Sequence, residues 1–191
     1  LAALIVVFGL AEPAFLGLAN FMSVLQSVSV VAILSVGVTV SMAVGGFDLS
    51  VGAVAASAVM AASYAMVVWQ LGAVATAALA LAFGLGVGLC NAALIVGLGV
   101  PDLLATLAMN FLLTGLQLIP TAGRSIAAGL ILPSGESAKG AYDPAFLLIG
   151  RARLGDVAPV PVLIMLAVGA LAFVLTERTR YGRLMFAVGG N

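Results

Sequence analysis

Histidine is absent from this chain, cysteine occurs once, at Cys90, and charged side chains make up only 7% of its 191 residues. Each scarcity removes a class of function. A single cysteine closes no disulfide within the chain, and without histidine the common zinc, haem and thiol-redox centres lack their ligands. The expectation is a chain that binds no metal and no cofactor of its own. Seven acidic and seven basic residues cannot cover a water-soluble body of this length, which would carry about a quarter of its residues charged. That argues against a soluble enzyme and against a nucleic-acid binder. No Gly-Lys-Ser or Gly-Lys-Thr triplet is present, so no segment reads as a nucleotide-binding P-loop.

What is present is apolar: 64% of the residues are hydrophobic. The first 123 residues hold three charges, Glu12, Asp48 and Asp102, all acidic, whereas every Lys and Arg lies between Arg124 and Arg183. This is the composition of a membrane protein. The chain opens at Leu1 inside an apolar run and closes at Asn191 in a polar one, which reads as a piece of a longer membrane protein. Residues 1–11 then read as the end of a helix rather than a signal peptide.

A bilayer-crossing helix needs about 20 apolar residues, each adding about 1.5 Å. That ruler divides the chain into a partial span at 1–11 and further spans near 21–44, 51–68, 73–96, 102–119 and 161–176. The breaks fall at Gly45-Gly46, at Trp69-Gln70-Leu71-Gly72, and at Gly97 to Pro101, with Pro120 stopping the fifth helix. Residues 120–160 read as an extramembrane loop with a short interfacial helix around Pro144 to Arg153. The compact cluster Arg178, Arg180 and Arg183 favours a cytoplasmic location for 177–191, which leaves the loop extracytoplasmic. The fold class expected is an all-α polytopic membrane protein with about six transmembrane helices in this chain.

Four features could carry function. Gly45-Gly46-Phe47-Asp48-Leu49-Ser50-Val51-Gly52 interrupts an otherwise lipid-compatible sequence with a carboxylate. Such a charge costs about 2.5–3.5 kcal/mol at the centre of a membrane helix, so it is kept at a helix end, at a partner or near water. The two glycines break one helix, and Asp48 or Ser50 can accept hydrogen bonds from the first N–H groups of the next. The alternative is a broken helix placing donors and a carboxylate beside a transport route. Gly84 and Gly88, with Asn91 following, mark a face for close helix packing. Thr106, Asn110, Thr114 and Gln117 form a polar stripe that either lines a route or joins helices. The basic terminal piece from Thr176 to Asn191 is either an interfacial anchor or a docking segment.

These residues carry a resemblance. Gly45 to Gly52 resembles the G-G-I-D-L-S-V-G signature of the permease subunits of ribose-, xylose- and arabinose-type ABC importers, with Phe47 in place of Ile. Arg180-Tyr181-Gly182-Arg183, followed by Ala187-Val188-Gly189-Gly190-Asn191, is similar to that family's second signature, in the same order along the chain. Weaker agreement connects them, including Gln26-Ser27-Val28-Ser29, Val36-Gly37-Val38-Thr39 and Ala105-Thr106-Leu107. Thr114 stands before Gly115 where relatives often have Arg, and the 121–160 loop matches no sugar-specific sequence.

The resemblance implies a transport subunit, not an enzyme, in a multi-pass permease of the bacterial inner (plasma) membrane. It implies a fold of about ten helices, of which this chain supplies part, whose two packings are biased differently by each partner. Those partners are a second permease copy, identical or different, a cytoplasmic ABC ATPase that holds ATP-Mg, and a periplasmic or lipid-anchored substrate-binding protein; nucleic acid has no role. The cargo implied is a monosaccharide. A route or gate is expected around Gly45, Gly46, Phe47, Asp48, Ser50, Gly52, Thr106 and Asn110. ATPase coupling is expected at Arg180, Gly182, Arg183, Gly189, Gly190 and Asn191, and helix packing at Gly84, Gly88 and Asn91. Broken helices and a membrane acid also suit an ion-coupled secondary transporter, which needs no ATPase. An intramembrane enzyme is remote: Asp48 has no second carboxylate near it, and no Ser/Lys pair lies within a span.

Overall fold

The computed structural model describes residues 2–155 and 157–189. Among the described residues eight α-helices follow one another: α1 (Ala2–Ala11), α2 (Leu18–Ala43), α3 (Val51–Val67), α4 (Ala73–Ala92), α5 (Asp102–Leu116), α6 (Pro144–Arg151), α7 (Val160–Phe173) and α8 (Arg180–Gly189). Wide π-helical turns prolong α4 through Ala93–Gly97 and α7 through Val174–Arg178, and a 3₁₀ turn at Ile119–Thr121 follows α5. Among the described residues, four helical stretches are long and apolar enough to cross a membrane: Leu18–Ala43, Ala73–Gly97, Asp102–Thr121 and Val160–Arg178. The other two segments expected as spans form shorter apolar helices, α1 with 10 residues and α3 with 17. The outward faces carry Leu10, Val74, Leu81 and Val96, each at least three-quarters exposed. Lipid tails are as apolar as these side chains, so a membrane helix gains little by burying them.

The chain divides into two compact units, residues 1–37 with 148–184, and residues 38–147 with 185–191. In the first, Glu12 is extended ahead of Pro13, as the ring of a following proline requires, and α1 ends there. Phe8 and Phe15 pack with ring centroids 5.6 Å apart across the turn. The Gln26 amide donates to the Gly150 carbonyl at 3.0 Å. One addition to the all-α expectation lies here: β1 (Arg153–Leu154) pairs antiparallel with β2 (Ala158–Pro159).

In the second unit α4 and α5 pack on α3. Ala53, Ser57, Ala62 and Ala65 supply the small, buried face of α3 that lets the neighbouring backbones approach. Ala53, Val87, Met109 and Leu113 form the core of this three-helix cluster. The helix ends follow from local chemistry. Gly45, at φ +83°, sits in the left-handed region, its N–H donating to Met42 O (2.9 Å) and that of Gly46 to Ser41 O (3.2 Å). That pair of bonds is the glycine stop known as the Schellman motif, and it satisfies two carbonyls at the end of α2. At the other end of α3 the turn is made by Gln70 at φ +56°.

The stretch between α5 and α6 is more than a loop. Ile131 and Ser137 bridge in antiparallel fashion, and Leu130 and Ala138 pack on Val67 at the end of α3. Gly140 donates to Val67 O at 3.0 Å, and the Tyr142 hydroxyl donates to Ile126 O at 2.9 Å.

Candidate functional site

Between the glycine stop and α3, residues 47–49 lie outside both helices, so their backbone polar groups need other partners. One face of α5 provides them. Phe47 N–H donates to Asp102 Oδ2 at 2.6 Å, and the Thr106 hydroxyl, with a single proton, faces Asp102 O in its own helix at 2.8 Å and Phe47 O at 3.3 Å. Leu49 N–H donates to the same Thr106 oxygen at 3.1 Å, and Leu49 O accepts from Asn110 Nδ2 at 2.7 Å. Asp102, Thr106 and Asn110, at four-residue steps along one face of α5, thus meet the backbone of Phe47 and Leu49.

The opposite side of the segment is closed by side chains. Asp48 Oδ1 accepts from Ser50 N–H (2.7 Å) and from Ser50 Oγ (2.6 Å), while Asn91 Nδ2 donates to Ser50 Oγ at 3.0 Å. Ser50 is fully buried and Asn91 is 6% exposed; the second amide atom of Asn91, Oδ1, has no partner. Asp48 thus holds the N–H of the residue that opens α3, and Ser50 itself makes no capping bond into the helix.

The expected site residues fall into three groups. Gly45, Gly46, Phe47, Asp48, Ser50, Thr106 and Asn110 come together, joined by Asn91 from the residues expected only to pack. Gly52 stands apart, with open space where a Cβ would be. At Gly84 and Gly88, expected to pack helices, a Cβ meets nothing within 4 Å among the described residues. The face of α4 that enters the core is the one bearing Thr76, Val87 and Asn91, and Gly88 lies on the exposed side.

The terminal segment supplies the closest backbone approach. A Cβ on Gly189 would collide with Ala43 O and stand 2.8 Å from Gly45 N, and one on Gly45 would stand 3.3 Å from Gly189 Cα. The two signature segments therefore touch, glycine to glycine. Gly182 lies as closely against the Thr176 backbone, and Arg180 and Arg183 are exposed. Gly190 and Asn191 lie outside the described residues.

The polar stripe of α5 divides. Its Asp102 to Asn110 part serves the 47–49 segment; Thr114 donates to Asn110 O in its own helix, and Gln117 lines a cavity of about 370 Å³ with Ser57, Tyr64, Trp69 and Phe83. Sequence reasoning missed Asp102, treating it as a helix start. The signal was present, because Asp102 precedes Thr106 by the same four residues that separate Thr106 from Asn110. Among the described residues no group of three His, Cys, Asp or Glu side chains is placed to hold a metal ion.

A helix stopped by glycine, with the following non-helical backbone held on a polar helix face, suits a membrane protein, where such backbone is tolerated only inside protein. Residues 20–191 match the family described as the permease component of branched-chain amino acid transport systems, and this chain belongs to that family. It is similar to the ribose import permease protein RbsC of Escherichia coli K12, 33% identical across 100% of this chain and 56% of that protein. RbsC of Bacillus subtilis is 31% identical over 98% of the chain and 54% of its own length. The autoinducer 2 import system permease protein LsrC of Yersinia enterocolitica is 28% identical over 99% and 48%. The chain spans about half the length of these curated relatives. No solved structure matches it. Family membership and the four long apolar helices make it a multi-pass protein of the bacterial inner (plasma) membrane.

Proposed function

We propose that this chain is part of the transmembrane subunit of an ABC importer that moves a monosaccharide inward, driven by ATP hydrolysis on a separate subunit. The observation that carries the reading is similarity along the whole chain to permeases named for ribose import. The same likeness to a permease named for autoinducer 2 import sets the competing cargo. Two permease copies, a cytoplasmic ATPase and an extracytoplasmic binding protein complete the assembly, and this chain supplies packing and motion rather than bond chemistry.

The structure is consistent with a cytoplasmic ATPase contact at α8. Tyr181, Leu184 and Val188 lie on one side of that helix and are 62–71% exposed, with Arg180 and Arg183 exposed beside them. In this reading α8 faces the cytoplasm and the stretch between α5 and α6 faces outward, as the arginine cluster at 178–183 favours.

The test is uptake by the whole permease, reconstituted in proteoliposomes with its ATPase and binding protein. ATP-dependent accumulation of ribose is expected. Accumulation of autoinducer 2 instead would change the cargo, and accumulation driven by an ion gradient without ATPase would replace the importer reading with a secondary transporter.

A further inference from the structure

We propose that Asp102 is a positioning residue for coupling: it holds residues 46–50 in register on α5, so that movement of Gly189 at the end of α8 passes through Gly45 and Phe47 into α3 and α5. The inference rests on the importer reading above and names the residue through which its two signatures act on the helix bundle.

Three observations carry it. Gly189 lies backbone to backbone on Gly45, so α8 has no flexible side chain there to absorb a displacement. The first fixed points after the glycine stop are the bonds of Phe47 N–H to Asp102 and of Leu49 N–H to Thr106, and the Asp102 bond, 2.6 Å long, is the charge-assisted one. A carboxylate in the first turn of α5 is also favoured by the helix dipole. Finally, an open groove lined by Ser41, Val44, Gly45, Ile95, Val100 and Asp102 runs beside the turn, so no described side chain fills the space next to it.

The experiment uses the complete permease with its ATPase and binding protein in proteoliposomes, reading ribose taken up per ATP hydrolysed, and hydrogen exchange of the 45–50 segment with and without a non-hydrolysable nucleotide. Asp102→Ala is expected to lower uptake per ATP roughly tenfold while basal ATP hydrolysis persists, the weight of one hydrogen bond to a charged group in a two-state balance. Asp102→Asn, which keeps a carbonyl acceptor for Phe47 N–H, is expected to stay within about threefold of wild type. In the wild-type complex, exchange at Phe47 and Leu49 is expected to change with nucleotide.

Unchanged uptake per ATP in Asp102→Ala overturns the proposal, as does a proportional fall of uptake and hydrolysis, which a purely structural role produces. Should Asp102→Ala fail to assemble, identical exchange of the wild-type segment in both nucleotide states overturns it. A wild-type complex that takes up no solute with ATP overturns the importer reading itself; a working wild type with a fully coupled Asp102→Ala overturns this inference alone.

Discussion

Gly189 and Gly45 meet backbone against backbone, with a position for a Cβ on Gly45 only 3.3 Å from Gly189 Cα. Gly189 has no space for a side chain, and Gly45, besides this tight contact, holds φ +83°, a conformation that L side chains rarely adopt. Two segments more than 140 residues apart in sequence are thereby joined at the point where α2 stops.

Gly189→Ala should separate them. The added methyl collides with Ala43 O, and forcing an atom into a packed contact typically costs about 1–3 kcal/mol. Uptake by the reconstituted importer should fall at least about tenfold, since 1.4 kcal/mol of bias is a factor of ten in a two-state balance. Gly88→Ala, where a Cβ meets nothing, should leave thermal stability within about 0.5 kcal/mol of wild type. A large loss at Gly88 would show that this face packs against a helix outside the chain.

Asn110 and Asn91 should differ in weight although both are amides at the extended segment. Asn110→Ala leaves the Leu49 carbonyl without its donor, a loss of about 1–3 kcal/mol for a polar group away from water. Asn91→Ala leaves Ser50 still bonded to Asp48 and removes an amide oxygen that has no partner, so its cost should be below about 1 kcal/mol. Thermal unfolding of the purified variants in detergent checks the order, and an Asn91 variant less stable than the Asn110 one would contradict it.

Asp143 joins two helix starts. Its Oδ2 accepts from Ala73 N–H at 2.7 Å, at the beginning of α4, and its Oδ1 from Ala145 N–H at 2.8 Å, in the first turn of α6. Asp143→Ala loses both caps, each typically worth about 1 kcal/mol, and Asp143→Asn should retain one. Hydrogen exchange should quicken in the first turns of both α4 and α6 for the alanine variant; acceleration in α6 alone would place the bond to Ala73 in doubt.

Gly140 fastens the folded stretch between α5 and α6 to the end of α3. A Cβ there would lie 2.5 Å from the carbonyl oxygens of Met66 and Val67, so Gly140→Ala should release the stretch and expose Leu130 and Ala138. Protease cleavage between residues 122 and 143 should then accelerate by about tenfold or more, as expected when local opening becomes easier by 1.4 kcal/mol or more. Gly135→Ala, with open space around it but φ +86°, should strain the turn tip without detaching it, a smaller effect in the same assay.

The amino-acid sequence by itself determined the environment and the class. Long apolar runs with three charges in 123 residues can be stable only in lipid, and a glycine pair followed by a carboxylate has to break a helix there, because an unpaired backbone group costs too much in hydrocarbon. The polar stripe on α5 was legible as hydrogen-bonding capacity at helical spacing, but spacing states no partner; Thr106 and Asn110 suited a solute route as well as a second helix. Tertiary structure decided that their partner is the backbone of Phe47 and Leu49, and that the stripe begins at Asp102. It likewise separated glycines that look equivalent along the chain. Gly84 and Gly88 face open space, whereas Gly189 bears on Gly45, because the need for a missing side chain is set by what stands opposite it, and that is known only once distant segments have been brought together.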